Sequence, residues 1–479
     1  MLKKIYFIIL ALWIVSFHAT IGLCEDYQQV AGLIDLRTTL SDGAHDLEFL
    51  IQLAKERGFK VLFVNDHDRM VMEYGLFPFR NIVKKRVEKP SVNQMGAERY
   101  LDAIKDISMK YPDMIVIPGV ESAPFYYWTG APFGEGLTAH NWERHILVMG
   151  LEKAEDYTNL PVLHNGFSTA YTAGRIPIAL LFVSVAVIGL FVFRWKRTYR
   201  ILGVLFFVLG IAFAIDVDPF SSSPYDPYHG NQGIAPYQHL IDYVNERGGI
   251  TFWNHPETRS GVGEKPPIRV DTPPYPDVLE GSRGYTGFAA LYGDRITVTE
   301  PGREWDRVLQ EYCIGERPRP VWGISTADYH REGGARLMLG DFPTVFLVKE
   351  FTKDAILSAL KNGKMYAARG PYNKRGVLAE FSLVDPITGN KGVCGDEVCV
   401  RGPAELRITV LASDYAAHKI HIRLIRGGDL IKTFNGTTPL TIDFKDDYFE
   451  EGKKIYYRVD VRGDVGSIIS NPIFVLFSS

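Results

Sequence analysis

The sequence predicts an α/β domain split by an apolar helical hairpin and followed by a small all-β sandwich. Three observations carry that expectation. Short apolar runs alternate with amphipathic helical stretches between residues 30 and 364, two long apolar blocks interrupt the alternation near residue 176, and beyond about residue 376 closely spaced strands take over.

At 479 residues the chain exceeds one ordinary core and predicts two or three domains. Lys and Arg total 53 against 56 Asp and Glu, a formal charge of -3, and no long basic run resembles a nucleic-acid footprint. Nucleic acid is therefore not an expected partner.

The first apolar block, residues 5–23 behind Lys3 and Lys4, has the layout of a signal peptide or N-terminal membrane anchor, so residues 1–24 are set apart from the folded chain. Leu23, just before Cys24, is wrong for a lipidation motif. The α/β rhythm then starts, with strands expected at 32–36, 60–65 and 114–118 and helices at 47–57 and 97–110. This first part of the domain spans residues 25–174.

Residues 176–193 and 201–215 are apolar and flank the turn Arg194-Trp195-Lys196-Arg197-Thr198-Tyr199-Arg200, which predicts a transmembrane helical hairpin over 175–217. Four cations in the turn place it in the cytoplasm by the positive-inside rule, so both flanking parts lie on the extracytoplasmic (periplasmic or outer) side of the cytoplasmic membrane. Membrane lipid is thus an expected partner, through two or three helices. Two short segments without internal charges offer no transport pathway.

The rhythm resumes over 218–376, with helices expected at 235–247, 304–313 and 353–361 and strands at 249–253, 321–324 and 344–347. Residues 377–479 read as a β-sandwich, with strands at 380–383, 405–411, 419–425, 440–444, 454–461 and 472–477. In it His421 and Arg423 alternate with Ile420, Ile422 and Leu424, one wet and one buried face. This domain carries no catalytic cluster and offers a surface for a protein partner. Cys394 and Cys399 flank a turn-forming centre without a nearby His, which favours a hairpin disulfide over a metal site.

Acidic residues and histidines recur at predicted strand ends. They appear in Ser41-Asp42-Gly43, Asn65-Asp66-His67-Asp68, Gly119-Val120-Glu121, Arg144-His145, Asn254-His255-Pro256 and Asp328-Tyr329-His330. Parallel strands curled into a barrel bring such ends to one mouth. Mixed imidazole and carboxylate donors suit Zn, Mn or Fe ions.

In this order the motifs resemble the PHP (polymerase and histidinol phosphatase) family over most of residues 30 to 370, with the hairpin as an insertion. The resemblance implies a distorted (βα)7-type barrel and two to three divalent metals that hydrolyse phosphate esters, hence a small phosphorylated substrate. It assigns Glu121, His145 and His255 to one metal and Asp42, His67 and His330 to another.

The family's opening His-x-His is here Asp35-Leu36-Arg37, which leaves Asp35, Glu121 and Asp328 as oxygen ligands for a modified third position. A guanidinium has no lone pair for a metal, so three outcomes stand open. Arg37 clamps substrate phosphate, or Asp35 helps hold a third ion, or Arg37 neutralises the carboxylates and leaves a catalytically impaired ligand-binding, sensor or assembly protein. In the hydrolytic reading Arg37 and Arg69 contact phosphate, and Asp66 or Asp328 orients ligands or takes a proton. The run Phe125-Tyr126-Tyr127-Trp128 is either an aromatic wall or loop packing. His140, His164, His229 and His239 fall outside the motifs, and His45 lies close behind Asp42.

Overall fold

The computed structural model describes residues 27–132, 136–265, 268–294, 296–334 and 337–478. The expected N-terminal segment, with Lys3, Lys4 and Cys24, lies outside the described residues.

Three strands start the α/β part. Gln28–Leu36, Val61–Val64 and Ile115–Ser122 pair in parallel, and Val61–Val64 is buried throughout, as a strand covered on both faces requires. Their crossovers contain helices that the local sequence specifies. Leu47–Glu56 is capped by Asp46, whose side chain accepts the Phe49 N–H, and Ala97–Lys110 buries Tyr100 and Ile104 against the sheet.

Ile146–Met149 runs antiparallel to both Ile115–Ser122 and Ile250–Trp253, after which Gly287–Leu291 and Trp322–Ser325 continue in parallel. The reversal has a local cause. Between Ser122 and Ile146 the chain returns through the short strands Tyr127–Thr129 and Thr138–His140, with no crossover helix among the described residues. Gln28–Leu36 meets Pro343–Val348 on its other side, and the far edge of the sheet comes back to that strand where the Ser325 N–H donates to Thr344 Oγ1 at 2.9 Å. A bridge between Leu36 and Tyr329 adds to this return. A distorted barrel of about seven βα units was expected; the strands form a curled sheet in which Ile146–Met149 is antiparallel to its neighbours.

That sheet does not stop at the C-terminal region. Met365–Arg369 pairs with Gly466–Ser470, which carries the ladder on to Lys454–Gly463 and Lys419–Arg426 in one fifteen-stranded sheet. Facing these strands, Lys391–Val393, Gly376–Val384, Ala404–Ala412 and Leu440–Asp446 form a second sheet. Between the two lies a separate apolar core that includes Phe381, Ile408, Ile422, Leu424, Val459 and Ile468. The alternation at 420–424 is as the sequence predicts, with Ile420, Ile422 and Leu424 buried and His421 and Arg423 partly exposed. The disulfide is not formed: Cys394 and Cys399 are both free thiols. Cys394 turns into the core, whereas the strand Glu397–Val400 buries Val398 and Val400 and so points Cys399 outward.

The two apolar segments are helices, Thr172–Trp195 and Arg200–Asp216, and with the short turn of helix that precedes the second, the spans Thr172–Trp195 and Arg197–Asp216 are long and apolar enough to cross a membrane. They pack on each other through small residues. A Cβ on Gly189 would lie 2.5 Å from the Phe207 nitrogen, and one on Gly210 2.6 Å from that of Ala186. Their remaining surface, including Leu181, Phe191, Ile201 and Val208, is exposed.

Candidate metal centre

The mouth of the curled sheet gathers the predicted site residues. Asp35, Asn65, Glu121 and Asn254 end or follow strands that point one way, and His145 joins them because its strand runs the opposite way and begins there. Gly119 makes the approach feasible: a Cβ there would sit 2.6 Å from Asn65 Nδ2 and 2.7 Å from the Val148 carbonyl.

Glu121 is the hub and is fully buried. Its Oε1 lies 3.0 Å from His145 Nδ1 and 3.7 Å from His255 Nε2, and those two nitrogens are 3.3 Å apart. On the other side, Asp42 Oδ2 lies 3.5 Å from His67 Nε2 and 3.4 Å from His330 Nε2. His67 joins the two groups, its Nδ1 3.4 Å from Glu121 Oε2. Donor atoms bound at ~2.1 Å around a tetrahedral ion stand ~3.4 Å apart, so both triads fit a cation of that size.

Outer contacts orient these donors. His330 Nδ1 is 2.8 Å from the Asp328 carbonyl, which accepts its N–H and turns Nε2 towards Asp42. His145 Nε2 faces Glu143 at 3.7 Å, and His255 Nδ1 meets the Tyr275 hydroxyl at 3.4 Å. Asn254 Nδ2 donates to Asp35 Oδ2 at 2.7 Å and Glu121 Oε1 at 2.6 Å, while its Oδ1 accepts from Thr326. The backbone is held at positive φ at Asp35 (73°), His255 (29°) and Asp328 (45°), conformations that non-glycine residues seldom keep without surrounding constraint.

Arg37 occupies the Asp35, Glu121 and Asp328 group. Its guanidinium donates to Asp35, Glu121 and the Asn65 carbonyl, and reaches Asp328 Oδ1 at 3.3 Å. Burial works against this cation, but the three carboxylates keep it charged. The Arg37 guanidinium thus sits among carboxylates whose oxygens also lie close enough together to hold an ion.

Electrostatics within the triads are those of carboxylates facing imidazoles. Burial pulls His145 down, yet Glu121 outweighs it and raises the imidazole to about 9. His330 rises to about 9 in the same way through Asp42 and Asp328. Asp42 is held well below the carboxylate range, because His330 and His67 overcome its burial. Without ions, protons balance the acid charge.

Asp66 accepts from the Thr38 N–H, the Thr38 hydroxyl and the Ser41 hydroxyl at 2.8, 2.7 and 2.5 Å, which fixes the loop that carries Asp42. Arg69 pairs with Glu88 at 2.8 Å beside the mouth. His45 stacks on Phe49 outside both triads. His140 meets Thr129, His164 meets Tyr126, His239 meets Tyr171 and His229 pairs with Asp226, all away from the cluster. Phe125, Tyr126 and Trp128 are buried packing residues. Asn254, Glu143 and Tyr275 were not singled out from the sequence. Only Asn254, adjacent to His255, carried a signal there. Asp68, also passed over, is a buried carboxyl that burial raises to about 6.

The chain matches no protein-family model and no curated protein sequence. Among solved structures it is similar to a two-domain protein containing a predicted PHP-like metal-dependent phosphoesterase from Bacteroides vulgatus, at 12% identity, 94% coverage of this chain, 95% of that chain and a TM-score of 0.36. It is also similar to a candidate metal-dependent phosphoesterase from Bifidobacterium adolescentis, at 14% identity, 64% and 90% coverage and a TM-score of 0.27. Likeness this loose supports no residue-level comparison.

Proposed function

We propose that this chain is a membrane-anchored, metal-dependent hydrolase of phosphate esters with two metal positions. The observation that carries this reading is the pair of triads at one mouth, Glu121/His145/His255 and Asp42/His67/His330, joined by His67. Divalent Zn, Mn or Fe ions held there would supply a water acidic enough to act at neutral pH and positive charge for the ester oxygens.

The protein's own residues prepare that site. Asp66 pins the loop that presents Asp42, Asn254 orients Glu121, and Arg37 takes the place of a third cation with Asp35 and Asp328. Arg69 is assigned a phosphate contact, since it follows His67 by two residues and its buried Nε has no hydrogen-bond partner among the described residues. The exposed apolar hairpin anchors the chain, and the cations around Lys196 and Arg197 assign its turn to the cytoplasm and the metal centre to the extracytoplasmic side.

Arg37 within the carboxylate cluster favours one second reading, a ligand-binding or sensor protein without turnover. Metal content and hydrolysis of a soluble aryl phosphate by the purified full chain with added Mn²⁺ separate the two. Bound metal with turnover is the expected result, and a chain that binds no ion and turns over nothing is not a hydrolase.

A further inference from the structure

The antiparallel arm Met70–Gly75 and Lys84–Lys89 begins immediately after the metal-site segment at His67 and Asp68, and its tip touches the apolar hairpin. At the tip, the Asn81 N–H donates to Asp216 Oδ1 at 2.7 Å and Asn81 Nδ2 to the Asp216 carbonyl at 2.6 Å, while the Phe79 ring packs on Phe213 at 4.9 Å. Around this joint Phe77 is 81% exposed, and Ile82 and Val83 are exposed beside it. An aromatic and aliphatic tip that continues an exposed apolar hairpin matches the boundary between lipid and water.

One face of the arm forms a cavity of ≈ 340 Å³. Met72, Tyr74, Leu76 and Val87 form its wall on the arm, and Trp128 and Leu137 close it from the small sheet. It follows the ladder from Leu76, beside the tip, to Met72, a span of ~14 Å at ~3.4 Å per residue. Among the described residues Lys84 and Lys85 are the charged groups that line it; Lys84 pairs with Glu73, whereas Lys85 has no ion pair among them. An apolar channel opening beside a membrane-facing surface has the chemistry of a hydrocarbon chain, and the lysines, opposite Gly75 and Tyr74, stand in its tip half and not at the end nearest His67.

We infer that this cavity receives the chain of a membrane-held lipid phosphate, and that lipid phosphate esters are the substrate class of the neighbouring metal centre. The inference rests on the membrane-anchored hydrolase reading and extends it to a substrate. The arm links the two sites covalently: Met72 follows His67 by five positions, so a chain that enters at the tip and lies along the arm runs towards the mouth.

The test places the full chain in phosphatidylcholine nanodiscs containing phosphatidic acid with a photoreactive diazirine in its acyl chain. After irradiation, adducts are mapped by mass spectrometry. The expected result is labelling of peptides that carry Met72, Val87 and Trp128, together with labelling of the apolar hairpin. Val87→Trp, which fills the cavity, is expected to lower the arm adducts about tenfold while hairpin adducts persist. Labelling confined to the hairpin in the wild-type chain overturns the lipid-chain site and leaves the membrane reading intact. Labelling of neither segment overturns both. Turnover of a soluble aryl phosphate, read separately, reports on the metal centre alone, so failure of the hydrolase reading is distinguished from failure of the lipid site.

Discussion

Arg37 donates from its Nη2 to Oε2 of Glu121, and both side chains are fully buried although 84 residues separate them in sequence. A cation covalently built into the chain thus sits against the carboxylate that also faces His145 and His255. Its removal tests what the arginine replaces. In Arg37→Ala, Asp35 and Glu121 remain buried without their partner, and metal-free stability is expected to fall by about 3 kcal/mol or more. Added Mn²⁺ is then expected to raise the melting temperature more than in the wild-type chain, because the emptied oxygen cluster binds the ion. Calorimetry with and without chelator measures both effects, and equal metal-induced shifts would contradict them.

Asn254 fixes Asp35 and Glu121 without belonging to either triad. Asn254→Ala is expected to weaken metal binding about 10- to 100-fold, and His255→Ala to cost more because it deletes a donor. Competition with a chromogenic chelator gives the affinities. Unchanged affinity in both variants would mean that the triad around Glu121 holds no ion.

Metal binding should release protons. His145 and His330, each raised to about 9 by facing carboxylates, carry protons at neutral pH that an incoming ion must displace. Apparent metal affinity is therefore expected to rise as pH increases from about 6 towards 9. Titration calorimetry in buffers of different ionisation enthalpy counts the released protons, and a flat pH profile would rule out this competition.

His164 shows the opposite sign. Burial pulls its imidazole down to about 4 despite the nearby Glu73, so between about 4 and 6.5 the unfolded chain binds a proton that the folded chain does not. Its contribution to stability is present above the unfolded value and is lost as pH falls through that window, with a slope on the order of 1 kcal/mol per pH unit. Urea titrations of the wild-type chain and His164→Gln from pH 4 to 7 are expected to diverge in slope over that range. Parallel pH curves would count against the burial effect.

Asp306 and Arg458, both fully buried, join the helix Glu304–Cys313 to the strand Lys454–Gly463 through contacts of 2.8 and 2.6 Å. Asp306→Asn leaves the guanidinium short of a counter-charge and is expected to cost about 3 kcal/mol. Chemical denaturation reads the loss. An unchanged midpoint would show that the α/β part and the sandwich do not depend on this pair.

Much of this arrangement was legible in local patterns. The apolar blocks around a basic turn became the helices Thr172–Trp195 and Arg200–Asp216, and the alternation at 420–424 gave one buried face. The antiparallel strand Ile146–Met149 was not legible, since strand direction depends on the path of the connection more than on the strand's own residues. Nor was the separation of Cys394 from Cys399, which is decided by which face each strand turns to the core.

The sequence by itself determined which donors exist and in what order. Asp42, His67, Glu121, His145, His255 and His330 are covalent facts, and hydrophobic periodicity is read over a few residues at a time. Only the tertiary structure decided that His67 stands between Asp42 and Glu121, that Asn254 ties Glu121 to Asp35, and that Arg37 turns inward to the carboxylates. The physical reason is distance along the chain. Charge pairing among buried groups from remote strand ends depends on how the sheet curls, and only folding brings those ends within hydrogen-bonding reach.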